Sequence, residues 1–274
     1  MSFQLVRPRP TRILVLNPNS SQSMTDGLKP VINSVDLGPT VEIHTYTAPS
    51  PSPPSINDAD DILTSTDVVC RDLPEWDPAE PPRWDGVLVA CFSVHPLVAR
   101  FAPLVAAVNI FEAAVLRAMS LTYVHRGDKW GIVTTGKFWE EHLTEGVAEI
   151  LGTGVPSGSG AKVPGGERFA GVESTGLNAS DFHHGVDPAV VTKKIREATQ
   201  RLLAKGTRDC RVSCIVMGCA GMAGLEETIR SAVCETEGEK FAYGVLHVVD
   251  GVRAGIVQID QMIKDSRLRP RQAY

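Results

Sequence analysis

The sequence lacks long hydrophobic runs, an excess of positive charge and a nucleotide-binding turn, and each absence excludes a class of protein. No apolar run approaches the ~20 residues that a membrane-crossing helix needs. A net charge of −5 leaves no basic footprint for nucleic acid. No glycine-rich GxGxxG segment follows a predicted strand. We therefore expect a small-molecule partner, and neither nucleic acid nor a membrane.

The six cysteines form no CxxC pair, and no histidine spacing suits zinc. The first residues, with Arg7 and Arg9 each ahead of a proline, lack the apolar segment of a secretory signal peptide. These features predict a cytoplasmic protein whose cysteines are free thiols. Neither a metal nor another cofactor is expected, and His183 and His184 are interpreted as a surface pair.

Two apolar runs end on a cysteine that is followed by small residues. Val87 to Ala90 leads to Cys91, and Ile215 to Gly218 leads to Cys219, 128 residues later. Each run is short enough for a strand buried on both faces. In open α/β sheets, ligands bind beyond the carboxyl ends of the strands. If the two halves of the chain pack face to face, the two thiols flank one substrate. The other four cysteines are interpreted as small buried hydrophobes.

An internal repeat of strand-plus-turn units predicts a duplicated α/β fold with parallel strands. The units are Ile13–Ser20, Val87–Ser93 and Val105–Val115 in the first half, and Gly131–Lys137, Ile215–Gly221 and Val245–Ala254 in the second. We expect a first lobe over residues 1–117, completed by a C-terminal helix over 251–274. The second lobe is expected over residues 118–250.

The repeat also suggests which residues are equivalent. Asn17 precedes Cys91 by 74 residues and Thr135 precedes Cys219 by 84, which pairs the two turns. In the same way, Glu112 is matched with the acidic residue at position 250, each just after its strand.

Alternating and amphipathic patterns predict the remaining elements. The predicted strands include Arg12–Leu16, Thr40–Tyr46, Trp130–Val133, Arg168–Val172 and Tyr243–Val249, and the predicted helices include Ile56–Cys70, Phe138–Leu151, Pro188–Lys205 and Gly251–Asp265. The segment Ala48–Ser55 holds four prolines in eight residues. It is either a rim of the binding cleft or a plain connector.

Four segments together resemble a known family. They are Leu16–Ser21 with Met24 and Thr25, Ala90–Ser93, Val133–Gly136 and Met217–Met222. In this order, over nearly the whole chain, they resemble the aspartate/glutamate racemase superfamily, and within it the hydantoin racemase branch with its fungal relatives. The resemblance implies two flavodoxin-like lobes related by a pseudo-twofold axis, with parallel sheets flanked by helices. It also implies an active site in the cleft between the lobes, and homo-oligomers are common in the family.

The resemblance implies roles for individual residues. Cys91 and Cys219 are similar to the acid/base pair of a cofactor-independent racemase or epimerase. The matching ligand-holding positions are Asn17, Ser93, Thr134 and Thr135, and the same turns add Ser20, Gly136, Gly218, Ala220 and Gly221 as candidates. The substrates that this implies are 5-substituted hydantoins or a related cyclic ureide such as allantoin.

Inverting a carbon centre requires removing a proton from one face and returning one to the other, which two opposed thiols can do. His95 either helps Cys91 or only enters a helix, and Glu112 either supports the site or caps its own helix. A decarboxylase or another carbon-acid epimerase of the same superfamily is the nearest alternative. A hydrolase or C–C lyase with a nucleophilic cysteine would need a histidine base, for which only His95 is placed. A binding protein on this scaffold would need neither thiol.

Overall fold

The computed structural model describes residues 9–73, 83–153, 168–182 and 185–268. The predicted surface pair His183 and His184 lies outside these residues. No helix in the described parts of the chain is both long enough and apolar enough to cross a membrane.

The first half of the chain forms a four-stranded parallel sheet with helices on its faces. Its elements are β1 (Thr11–Asn17), α1 (Gln22–Asn33), β2 (Val41–Thr47), α2 (Ala59–Asp72), β3 (Gly86–Val89), α3 (Leu97–Phe101), β4 (Ala106–Asn109) and α4 (Ile110–Leu121). The strand order is β2-β1-β3-β4, and each pairing is parallel. β3 is buried along its whole length, as its unbroken apolar run predicts.

The second half repeats this arrangement. Its elements are β5 (Lys129–Thr134), α5 (Phe138–Ile150), β6 (Phe169–Ser174), α6 (Pro188–Leu203), β7 (Val212–Gly218), α7 (Glu226–Glu237), α8 (Glu239–Gly244), β8 (His247–Asp250) and α9 (Gly251–Leu268). The order β6-β5-β7-β8 is parallel and matches the first sheet strand for strand. The predicted α/β fold with two similar lobes is therefore confirmed.

The strand registers correct two of the equivalences expected from spacing. Asn109 pairs with the last residue of β3, and Asp250 holds the same place beside β7. Asn109, not Glu112, is thus the counterpart of Asp250, and the side chain of each caps the helix that follows. Likewise Asn17, at the end of β1, corresponds to Thr134 at the end of β5 rather than to Thr135.

The predicted strand Tyr243–Val249 is wrong in its first half. The chain is helical over Glu239–Gly244, and only His247–Asp250 forms the strand. Phe241 and Ala242 are buried against the second core. Arg230 of α7 donates from Nη1 to the carbonyl oxygens of Ala242 and Leu246, which holds the extra helical turn in place.

The last helix, α9, packs against the first sheet rather than the second alone. A Cβ atom at Gly86 of β3 would overlap Ile259 of α9, and one at Gly255 of α9 would overlap Leu88 of β3. The two glycines therefore permit a close approach of helix and strand. One hydrophobic core joins α9, the first sheet and α4 to the inner face of the second sheet. A second core lies between the second sheet and α6 to α8.

Candidate active site

Cys91 stands just beyond the carboxyl end of β3. The amide of Ala90 donates to the carbonyl of Leu16, which keeps the chain beside β1 up to the residue before the thiol. Cys91 Sγ and Ser93 Oγ lie 3.3 Å apart, and both side chains are buried. The Ser93 hydroxyl is therefore the polar partner of this thiol.

Cys219 occupies the corresponding place beyond β7. It is the N-cap of a short 3₁₀ turn over Ala220–Met222, and the amide of Gly221 donates to its Sγ at 3.3 Å. The Thr134 hydroxyl donates to the carbonyl of Gly218 at 2.8 Å, so the end of β7 is fastened to β5 directly before the thiol. A fixed backbone donor thus faces this second sulfur.

Both cysteines line one pocket between the two lobes. The other lining residues are Pro18, Asn19, Met24, Ile56, Ala90 and Phe92 from the first lobe, and Thr135, Trp139, Ala179, Gly218 and Ala220 from the second. The pocket has room for about 30 Å³, which is space for water but far below the ~300 Å³ of a typical small-molecule site. A ring-sized molecule therefore does not fit the pocket as it stands in this structure.

Among the described residues, those that line this pocket include no charged side chain. Its polar groups are the two thiols, the Asn19 amide, the Thr135 hydroxyl and backbone groups, while Met24, Ile56 and Trp139 supply apolar surface. Placing a charged substrate here without a counter-charge would cost several kcal/mol of desolvation. The described lining residues therefore offer no counter-charge to a charged molecule.

Burial raises the pKa of both thiols. The pKa of Cys91 rises to about 12, and its causes are desolvation first, opposed by the Ser93 hydrogen bond, with an added contribution from the charge of Cys219. The pKa of Cys219 rises less, to about 11, because the amides of Gly221 and Met222 favour the thiolate against the same desolvation. Since the charge of one sulfur acts on the other, deprotonating one thiol disfavours deprotonating its partner.

Asn17, a predicted ligand-holding residue, is used inside its own loop. Its Nδ2 donates to Asn19 Oδ1 at 2.8 Å and to Thr25 Oγ1 at 2.9 Å, and its Oδ1 accepts from the amide of Asn19 at 3.2 Å. Ser20 is likewise occupied through its amide, which donates to the carbonyl of Pro53. Neither residue lines the pocket, and the residues from this turn that do are Pro18 and Asn19.

Of the other predicted ligand-holding residues, Thr135, Gly218 and Ala220 line the pocket, whereas Ser93, Thr134, Gly136 and Gly221 do not. Ser93 and Gly221 instead contact the two sulfurs, and Thr134 fastens β7 to β5. The structure thus brings the predicted turns together but divides their residues between lining and support.

His95 is buried at the start of α3 and points away from the pocket. Its Nδ1 accepts from the amide of Leu97 at 3.4 Å, and its Nε2 lies 3.4 Å from Ser65 Oγ on α2. Burial lowers its pKa to about 4, so the ring is neutral at pH 7. Of the two readings offered for His95, the structure favours helix entry.

Glu112 also lies outside the pocket lining, in the first turn of α4. Its amide donates to Asn109 Oδ1 at 2.7 Å, and burial raises the pKa of its carboxyl group.

In the described residues, no group of three or more His, Cys, Asp and Glu side chains is arranged to hold a metal ion.

The sequence patterns missed most of the apolar lining and Asn19. Trp139 lies in the first turn of α5, and Ile56 directly follows the proline-rich segment predicted as a possible rim. Ser52 Oγ in that segment donates to the carbonyl of Pro18 at 2.6 Å, which holds the segment against the first turn. The proline density was the one available signal for this contribution.

The sequence model of the family described as Asp/Glu/hydantoin racemase matches residues 13–259. A protein of Schizosaccharomyces pombe is 29% identical over 259 residues, covering 92% of each chain. Protein DCG1 of Saccharomyces cerevisiae is 29% identical over 224 residues, covering 80% of this chain and 86% of its own.

Two solved structures share the fold of the whole chain. Allantoin racemase from Klebsiella pneumoniae superposes with a TM-score of 0.67 at 22% identity, covering 93% of this chain and 89% of its own. Allantoin racemase from Pseudomonas fluorescens has a TM-score of 0.67 at 24% identity, covering 96% and 99%.

Proposed function

Because the chain belongs to the Asp/Glu/hydantoin racemase family, we propose that this racemase acts on neutral cyclic ureides, namely 5-substituted hydantoins including allantoin, by proton transfer between Cys91 and Cys219. The observation that carries the proposal is a pocket whose described lining residues are uncharged and include one thiol from each lobe. The likeness in fold to two allantoin racemases supports the inclusion of allantoin.

Because the described lining residues carry no charge, they favour uncharged substrates over charged ones. A free amino acid brings an ammonium group and at least one carboxylate, and each would need a partner of opposite charge. A hydantoin ring brings two carbonyl groups and ring N–H groups without net charge. These groups match the amide, hydroxyl and backbone groups that line the pocket.

The proposed reaction begins with a thiolate on one side of the ring and a thiol on the other. The thiolate removes the proton from C5, and the electron pair moves into the C5–C4 bond and onto the C4 oxygen as an enolate. The opposite thiol then returns a proton to C5 from the other face, and the negative charge passes to its sulfur. Proton and charge balance, and the inverted product leaves the thiolate on the other lobe.

The thiol that first loses its proton is proposed to be Cys219. Its sulfur faces the Gly221 amide, which can only donate, whereas Cys91 faces a hydroxyl that donates or accepts equally well. Cys91 therefore starts as the acid. For the opposite enantiomer the roles exchange after the proton has moved.

Among the described residues, none supplies the base that the nucleophilic alternative requires. His95 is engaged by Leu97 and Ser65, and its neutral ring has no contact with Cys91. A cysteine hydrolase or lyase needs a base within hydrogen-bonding reach of the thiol. This placement favours proton transfer by the thiols themselves.

The test is exchange of the C5 proton in deuterium oxide, followed by NMR together with optical rotation. L-5-alkyl hydantoins and L-allantoin are offered to the wild-type protein and to Cys210→Ala, a control that removes a thiol outside the pocket. With both proteins, we expect the optical rotation of the substrate to fall while its C5 gains deuterium. Optical rotation that stays constant with all these compounds would refute the hydantoin assignment. Release of carbon dioxide from substituted malonates would then indicate the decarboxylase alternative.

A further inference from the structure

The orientation of the Asn19 amide is set by a backbone donor. The amide of Ser21 donates to Asn19 Oδ1 at 2.9 Å, and the same oxygen accepts from Asn17 Nδ2 at 2.8 Å. Because a backbone N–H can only donate, the atom that it meets must be the amide oxygen. The nitrogen of Asn19 therefore lies on the opposite side of the group.

That nitrogen is poorly satisfied within the protein. Within the described residues, the hydrogen-bond partner of this nitrogen is the thioether sulfur of Met24 at 3.4 Å, a weak acceptor. Asn19 is 5% exposed, and both Asn19 and Met24 line the pocket. A buried amide N–H that lacks a good acceptor has lost its hydrogen bond to water, and an incoming acceptor restores it.

The neighbouring asparagine shows why this arrangement is informative. Asn17 satisfies both ends of its amide within the loop and leaves no donor for a ligand. Two bonds of the same loop fasten the oxygen of Asn19. The loop thus holds one donor rigidly at the pocket wall without supplying it with a strong acceptor.

We infer that Asn19 Nδ2 donates a hydrogen bond to the ring oxygen that becomes negative when the C5 proton is removed, so that Asn19 stabilises the enolate. The inference rests on the proposed function, because the acceptor is the C4 carbonyl oxygen of a hydantoin. A preorganised donor gains strength as the carbonyl becomes an enolate, and such donors lower the barrier more than they tighten ground-state binding.

The test compares Asn19→Asp with the wild-type protein at pH 7.5 on an L-5-alkyl hydantoin. The aspartate keeps an oxygen for the Ser21 amide and for Asn17, but it replaces the donating nitrogen with a second acceptor. We expect kcat to fall by about 10²–10³-fold while KM changes by less than about tenfold. Asn33→Asp, an exposed site on α1, is the matched control for added negative charge and keeps wild-type kcat.

Asn19→Ala is measured beside it, because a carboxylate in this pocket can destabilise the fold. It removes the donor without adding charge and is expected to lose kcat to a similar extent. Thermal unfolding of both variants and the alkylation rate of Cys219 show whether the loop is intact. If an intact Asn19→Ala or Asn19→Asp protein keeps kcat within about threefold of the wild type, the role of Asn19 is refuted. If the wild type itself exchanges no C5 proton, the proposed function fails first, and the assigned acceptor falls with it.

Discussion

The turn after β3 and the turn after β7 are the same structure built from different residues. Ala90–Ser93 and Gly218–Gly221 follow equivalent strands, and in each turn the residue two positions beyond the cysteine contacts its sulfur. In the first lobe that contact is a serine hydroxyl, and in the second it is a glycine amide. A duplicated fold can therefore place two thiols symmetrically and still give them different acidities.

The difference extends to the residues around each turn. Phe92 in the first lobe corresponds to Ala220 in the second, and the buried His95 corresponds to Ala223. In the first lobe, large side chains stand beside the cysteine. In the second lobe, the turn after the cysteine packs against α1 and the 179–182 turn. The pocket between the two sulfurs thus has two unlike walls.

Removing each cysteine in turn gives the largest effect and tests whether both lobes contribute a base. We expect Cys91→Ala and Cys219→Ala each to lower the racemisation rate on the order of 10³-fold. Each variant keeps a single thiol in the pocket, so each should still exchange the C5 proton of one enantiomer. The two variants should prefer opposite enantiomers. NMR of separated enantiomers in deuterium oxide measures this. The same preference in both variants would contradict an opposed pair.

Acid should destabilise the protein through the histidine of the first lobe. The pKa of His95 in the folded protein is about 4, against about 6.5 when unfolded, so its contribution is fully present above pH 6.5 and is lost as the pH falls towards 4. The full shift corresponds to about 3 kcal/mol of unfolding free energy. Chemical denaturation at pH 7 and pH 4.5 should show a smaller pH dependence for His95→Asn than for the wild type. Equal dependence would show that other groups dominate.

Adding one methyl group should distinguish the two strand ends. A Cβ at Gly218 would lie 2.7 Å from Ile132 Cγ2 and 2.9 Å from the carbonyl oxygen of Val133, whereas its counterpart Ala90 already carries a methyl group. We expect Gly218→Ala to lower the unfolding free energy by about 2 kcal/mol through overpacking. Ala90→Gly, the mirror change, should cost about 1 kcal/mol or less. Thermal unfolding of both variants provides the comparison. Equal unfolding midpoints would contradict the expected difference between the two strand ends.

The smallest expected effect is a difference in thiol reactivity. Alkylation by iodoacetamide requires the thiolate, and the pKa of Cys219 is about 11 against about 12 for Cys91. At any pH below both values, Cys219 should be modified about tenfold faster, and both rates should rise about tenfold per pH unit. Peptide mass spectrometry at pH 7.5 and 8.5 follows each site. Faster modification of Cys91 would contradict the proposal that Cys219 is the thiol that first loses its proton.

Much of the fold could be predicted because its strands are buried on both faces. The runs before Cys91 and Cys219 are uninterrupted by polar residues, and a parallel sheet is the structure that hides such runs. The helical turn over Glu239–Gly244 was missed because Tyr243 and Val245 look like strand residues, although both are exposed. A hydrogen bond from the distant Arg230, rather than local pattern, maintains that turn.

The site was less predictable, since lining depends on side-chain direction and on how the lobes meet. Asn17 and Asn19 share a turn and differ only in which way each amide points. The placement of His95 depends on Ser65, 30 residues earlier on α2. Trp139 reaches the pocket because α5 of the second lobe faces the first, a relation that periodicity within one segment does not contain.

The return of α9 to the first sheet has a consequence for biosynthesis. The ribosome delivers the strands of the first lobe early, but the helix that covers Gly86 and Leu88 emerges only after all four strands of the second sheet. The first lobe therefore waits, with an apolar face of its sheet uncovered, until α9 has been synthesised. A nascent chain that ends before Gly251 should bind a chaperone of exposed apolar surfaces, and release should coincide with synthesis of the last helix.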